Sequence, residues 1–231
     1  MGRSKKRRKA KLKKKRMMKI CQGKRVPFSI SNCPRPLRGI MYKYEYKINV
    51  HHCSFNNARF NNVRYRSGHI TYSFFKNTLF EKIDFICVNM KYSKFKGTKF
   101  KNCLFFGCNL QDADFLGASF ENVYFISCNL KNIKNFVIND NVKIIKEYPE
   151  ILLSKEMEGV LAAMSQNSKL EKYHILTMNQ KKNNYWMLEI LLQKYHEQEL
   201  KYFFQKLLVT NKNQFYTIHD YILALSNYYK R

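Results

Sequence analysis

The residues most able to do chemistry in this sequence are cations. Met1–Lys19 holds twelve Lys and Arg, in the runs Lys5-Lys6-Arg7-Arg8-Lys9 and Lys13-Lys14-Lys15-Arg16. Each cation that neutralises a phosphate releases a condensed counterion. Such a block therefore binds nucleic acid or another phosphate-rich polyanion regardless of sequence, and weakens as salt rises. The same block also suits an anionic lipid surface or a nuclear address, or serves only as a solvating tail, with the phosphate-rich polyanion the first expectation. The 231 residues carry a net charge of +27, of which residues 1–47 supply +17, residues 48–134 +7 and residues 135–231 +3. The polyanion-seeking part is the front of the chain. A true start at Met17 or Met18 would remove much of it.

Other chemistry is thin. His51-His52-Cys53 offers metal-ligating residue types, but Cys53 falls on an inward position and no partner ligands stand at zinc spacing. Asp112 and Asp114 flank Ala113 and project from adjoining faces, a poor geometry for an acid/base pair. No GxSxG, HExxH, P-loop, GxGxxG or paired-cysteine zinc motif occurs. The expectation is no catalysis, no metal, no cofactor and no small-molecule substrate. Seven cysteines without a CxxC pair argue for a reducing, cytoplasmic setting. No apolar run follows Met17-Met18 as a secretory signal requires, and none approaches the length of a membrane span.

The element that must position these residues is a repeat. From Val50 to Leu130 a bulky apolar residue stands at every fifth place, as in Phe55, Phe60, Tyr65, Ile70 and Phe75. Small or β-branched residues such as Ala58, Val63, Thr78 and Cys103 stand two places earlier. A period of five fits neither helix nor strand, and over seventeen units it marks a solenoid.

Units such as Ala113-Asp114-Phe115-Leu116-Gly117 and Cys128-Asn129-Leu130-Lys131-Asn132 resemble the pentapeptide-repeat family, whose pattern is near A(N/D)LXX. The resemblance implies a right-handed, four-sided β-helix with twenty residues per coil, hence about four coils over residues 48–134. The residues themselves support a twenty-residue turn. Val50, Ile70, Met90, Leu110 and Leu130 form an aliphatic column, preceded by Asn49, Asn89, Asn109 and Asn129. The other three columns are aromatic. The quinolone-resistance members of the family bind a type II topoisomerase through an acidic, DNA-like rod, and the +7 of this rod argues against such mimicry.

A twenty-residue coil also fixes the outward residues. Lys76, Lys94 and Lys96 share one face and Lys82, Lys99, Lys101 and Arg59 the next, a basic corner that would extend the polyanion surface of the tail. The face centred on Tyr65, Phe85, Phe105 and Phe125 instead presents Ile86, Leu104, Phe106, Tyr124 and Ile126. An apolar patch of that size marks an interface. C-terminal helices folding back are the first expectation for it, and a homodimer contact the second. Cys103, Cys108 and Cys128 fill inward positions as small apolar groups.

The flanks complete the plan. Residues 1–19 read as a disordered basic tail, and residues 20–47 as an irregular linker with a cap strand from Tyr42. Residues 135–231 read as about four helices, starting near Pro149-Glu150, at Ser168, over 184–209 and over 214–229. The functional expectation is a non-catalytic scaffold that engages nucleic acid or a nucleoprotein complex through tail and corner. The alternative is a protein-binding or structural module, topoisomerase-interacting included, acting through the apolar face or the helices.

Overall fold

Each five-residue unit closes on a corner that needs left-handed backbone. From Tyr42 to Asn132 every fifth residue has φ between 47° and 64°. Asn, including Asn57, Asn77 and Asn122, and Gly97, Gly107 and Gly117 supply many of these corners, as the steric cost of αL to other residues dictates. Between corners the chain is extended, so it turns four times and returns above its own start. The computed structural model describes residues 2–22, 28–33, 35–179, 182–210 and 215–230.

Eight strands form one parallel ladder: β1 (Ser29–Cys33), β2 (Met41–Tyr46), β3 (Asn49–Cys53), β4 (Arg59–Thr71), β5 (Leu79–Asn89), β6 (Lys99–Phe106), β7 (Ser119–Ile126) and β8 (Val142–Ile145). Pairing runs Phe60↔Phe80, Phe80↔Phe100 and Phe100↔Phe120, a coil of twenty residues. The solenoid has about six turns rather than four. Upstream, Ile30 pairs with Val50 and Glu45 with Tyr65, so the stretch read as linker and cap already forms a coil. Downstream, Val123 pairs with Val142, a register shortened by one residue. Prolines and charged central residues disguise the first coil, and the shifted phase disguises the last.

The core is a set of aromatic stacks. Phe105 and Phe125 lie 4.6 Å apart and within 1° of parallel, and Phe75 and Phe95 lie 5.1 Å apart. Stacked rings beside a spacing near the ~4.8 Å strand repeat bury large apolar areas in low-energy offset geometries. Buried hydroxyls and thiols are satisfied by carbonyls of the coil below: Thr78 Oγ1 donates to Phe55 O at 2.7 Å, and Cys103 Sγ to Phe80 O at 3.5 Å.

Beyond the ladder, the chain forms α2 (Lys155–Gln166), the hairpin of β9 (Thr177–Asn179) and β10 (Lys182–Asn183), α3 (Tyr185–Leu192), α4 (Glu197–Thr210) and α5 (Ile218–Tyr229). Helix α2 starts later than the expected Pro149-Glu150, because Ser154 is its cap and accepts from Met157 N. The helix expected at Ser168 is only one 3-10 turn, Glu171–Tyr173, closed by left-handed His174. The long helix expected over 184–209 is two, α3 and α4. The last begins at Ile218, where Thr217 and Asp220 form a capping box. At the other end, α1 (Gly2–Cys21) is helical where a disordered tail was expected. Lys, Arg, Ala, Leu and Met are all good helix formers, and that preference wins over like-charge repulsion here.

Candidate functional site

The basic surface is built on α1 and on two faces of the β-helix. Arg7, Arg8, Lys14 and Lys15 are exposed on α1, whereas the side chains of Lys5, Lys6, Lys9, Lys13 and Arg16 lie outside the described ones. On the rod, Lys76, Lys94, Lys96 and Lys99 are exposed, and Lys82 and Lys101 are half-buried. The twenty-residue register stacks acids among them. Asn61, Glu81, Lys101 and Glu121 form one row, in which Lys101 Nζ meets Glu121 at 2.9 Å and Asn61 Nδ2 donates to Glu81 at 2.8 Å. The hydrogen bond to Glu121 raises the affinity of Lys101 for its proton. Lys94 likewise stacks between Phe74 and Asp114 and sits 5.9 Å from the Phe74 ring centre. The corner therefore offers Lys76, Lys96 and Lys99 as its open cations, and a Lys101 already engaged.

The apolar stripe lies under the helices. Ile86, Leu104, Tyr124 and Ile126 are buried in one cluster with Met157, Leu161, Trp186, Leu188 and residues of α4 and α5. Phe106 is half-buried against the same cluster, its ring 6.2 Å from Trp186. The described residues thus form two cores, one inside the coils and one between this face and the helices.

The second core contains a polar device. Arg64 and Asp84 stand one coil apart on the stripe, 2.5 Å apart and nearly without solvent. Asp84 Oδ2 also accepts the N–H of Ile218 at 3.0 Å, so a carboxylate of the rod caps the first turn of α5. Arg64 Nη2 donates to His174 O at 2.8 Å, and Thr217 Oγ1 to Asn62 Oδ1 at 3.2 Å. Burial pushes the Asp84 carboxyl up to about 6, opposed by Arg64 and the Ile218 N–H. Burial also lowers the Arg64 guanidinium, opposed by Asp84.

Residues 103–134 match the pentapeptide-repeat family in eight copies. The chain carries pentapeptide repeats. No curated protein matches it. Among solved structures, the pentapeptide-repeat β-helix is similar to the pentapeptide repeat protein Rfr23 of the cyanobacterium Cyanothece 51142. That pair shares 10% identity, covering 52% of this chain and 87% of that one at a TM-score of 0.29. The plasmid-mediated fluoroquinolone resistance protein QnrB1 shares 9% identity over 51% of this chain and 90% of its own, at 0.27. A pentapeptide repeat protein of the Arabidopsis thaliana thylakoid lumen shares 15%, over 47% and 70%, at 0.19.

Sequence reasoning on the pentapeptide repeats missed the Arg64–Asp84 pair, although its signal was present. Opposite charges twenty residues apart on an otherwise apolar outward column must meet. Among the described residues no group of three or more His, Cys, Asp or Glu could hold a metal ion, and no helix is long and apolar enough to cross a membrane.

Proposed function

We propose that this pentapeptide-repeat protein is a non-catalytic, cytoplasmic binding scaffold whose ligand is nucleic acid or a nucleoprotein complex. The observation that carries this reading is the set of cations left open to solvent: Arg7, Arg8, Lys14 and Lys15 on α1, and Lys76, Lys96 and Lys99 on the rod. Phosphate contacts of this kind position a ligand without reading its bases, so the affinity is sequence-independent. The second core supports the same division of labour. It ties the helices to the apolar stripe and leaves Lys76, Lys94, Lys96 and Lys99 exposed for a partner.

The test is binding to duplex DNA and to RNA over a salt series, by the full chain and by a chain starting at Met17. The expected result is an affinity that falls steeply with salt and drops when α1 is shortened. A flat salt response, or no binding at low salt, would overturn the reading.

A further inference from the structure

The first coil is made of residues too small or too polar for its place. In the column Tyr65, Phe85, Phe105 and Phe125, the position below Tyr65 is taken by Glu45. Ile40 precedes Phe60, and Ile30 precedes Val50. The place below Phe55 is taken by Leu37, whose N–H meets Ser54 O at 2.8 Å as that of Phe55 meets Phe74 O, while Arg35 is exposed. Every later coil fills its centre with rings; this one does not. The result is a cavity of about 240 Å³ at the N-terminal mouth of the β-helix, walled by Phe55, Phe60, Tyr65, Ile70 and Phe75 and reaching Phe85. An apolar cavity of about 150 Å³ suffices to hold benzene.

The mouth is charged. Arg38, Lys43 and Glu45 line it. Lys43 is tied to Glu45 at 2.8 Å, whereas Arg38 makes no ion pair among the described residues. An apolar tunnel with one spare guanidinium at its entrance matches a molecule with a hydrocarbon body and an anionic head. We propose that this mouth is a binding site for a medium-chain carboxylate, its alkyl chain lying against the ring stacks and its carboxylate on Arg38. Such a head suits Arg, whose planar fork receives both carboxylate oxygens. The site is separate from the basic faces assigned to nucleic acid.

The experiment is calorimetric titration of the full chain with octanoate and with octanol, read beside thermal melts. Octanoate is expected to bind one per chain and to raise the Tm. Arg38→Gln is expected to weaken octanoate about tenfold and to leave octanol unchanged. Glu45→Phe completes the ring column, so it is expected to raise the Tm of the free protein and to remove octanoate binding. The last outcome separates the cavity from the cationic surface, because removing an acid would strengthen surface capture of an anion. Val50→Phe fills the same space without changing charge and serves if Glu45→Phe does not fold. Absence of octanoate binding, or binding that survives a folded filling variant, would overturn the proposal.

Discussion

At the scale of single residues, the Arg64–Asp84 pair decides how the helices sit on the rod. A buried pair is costly to break but not costly to replace, because removing one partner strands a charge in apolar surroundings. Here Arg64 Nε and Asp84 Oδ1 have no hydrogen-bond partner among the described residues, so the pair is incompletely compensated. Asp84→Ala is expected to cost about 3–5 kcal/mol in urea unfolding. The double change Arg64→Met with Asp84→Leu is expected to return to within about 1–3 kcal/mol of the parent, the remainder being the Ile218 N–H and the His174 carbonyl that lose their partners. A double variant worse than the single would refute that ranking. His219 gives a pH signature of known sign. Burial first, then Lys82, Lys194 and Lys101, lower its pKa to about 4, below the unfolded value near 6.5. The unfolded chain thus takes up a proton that the folded one resists. His219 accordingly contributes stability above pH ~6.5 that is lost as pH falls toward about 4. Asp84, with its raised pKa, works in the opposite direction between about 6 and its unfolded value near 3.9. Melts of His219→Gln against the parent at several pH values separate the two, and the variant is expected to lose less stability on acidification.

At the scale of elements, the inward small positions carry their own steric code. Gly68 sits over Ile48, the bulkiest class of side chain in that row, and a Cβ on Gly68 would come within 2.7 Å of Ile48 O. Gly68→Ala is therefore expected to destabilise by about 1–3 kcal/mol through overpacking, read as a fall in the urea midpoint. Pairing it with Ile48→Ala tests the cause, since that change removes Cγ1, 2.9 Å from the added Cβ, but leaves the backbone oxygen, and so restores only part of the loss. Legibility in the sequence followed the same grain. The solenoid was readable because each unit repeats one physical demand: a ring inward, a small group inward, a left-handed corner. The first coil was not, because Pro34, Pro36, Arg35 and Glu45 break that demand while Ile30 and Ile40 keep the register. The helical part was legible in its apolar spacing and not in its boundaries. Asn167 Oδ1 takes the N–H of Lys169 and Leu170 as a helix cap one residue before Ser168, and left-handed His174 ends the turn after Tyr173. Local competition of this kind leaves little trace in periodicity.

At the scale of the whole molecule, charge and apolar surface are sorted to different sides. The helices occupy the one face of the rod whose outer residues are apolar, and the open cations lie on α1 and the corner. A chain ended before α2 would bare Ile86, Leu104, Tyr124 and Ile126. Such a patch is expected to drive self-association, seen as a mass above the monomer in light scattering, while the full chain stays at the lower mass. Retention of a monomer by the shortened chain would show that the stripe does not need its cover. The basic surface was legible as composition, but its interruption by Glu81, Asp114 and Glu121 emerges only when coils are stacked. Sign alternation along a row is invisible in a linear reading.

The one-coil register also sets a rule for changes in chain length. Arg64 and Asp84, and then Leu104 and Tyr124, meet the helices because they are spaced by whole coils. Loss of a single five-residue unit between Asp84 and Leu104 would leave an unbroken repeat yet rotate everything after it by one face. Leu104 and Tyr124 would then carry the helices that follow them to the next face, and Arg64 and Asp84 would be left without their cover. Loss or gain of twenty residues would preserve every column. The repeat tolerates drift in sequence, but in this molecule its length is quantised in coils, not in units.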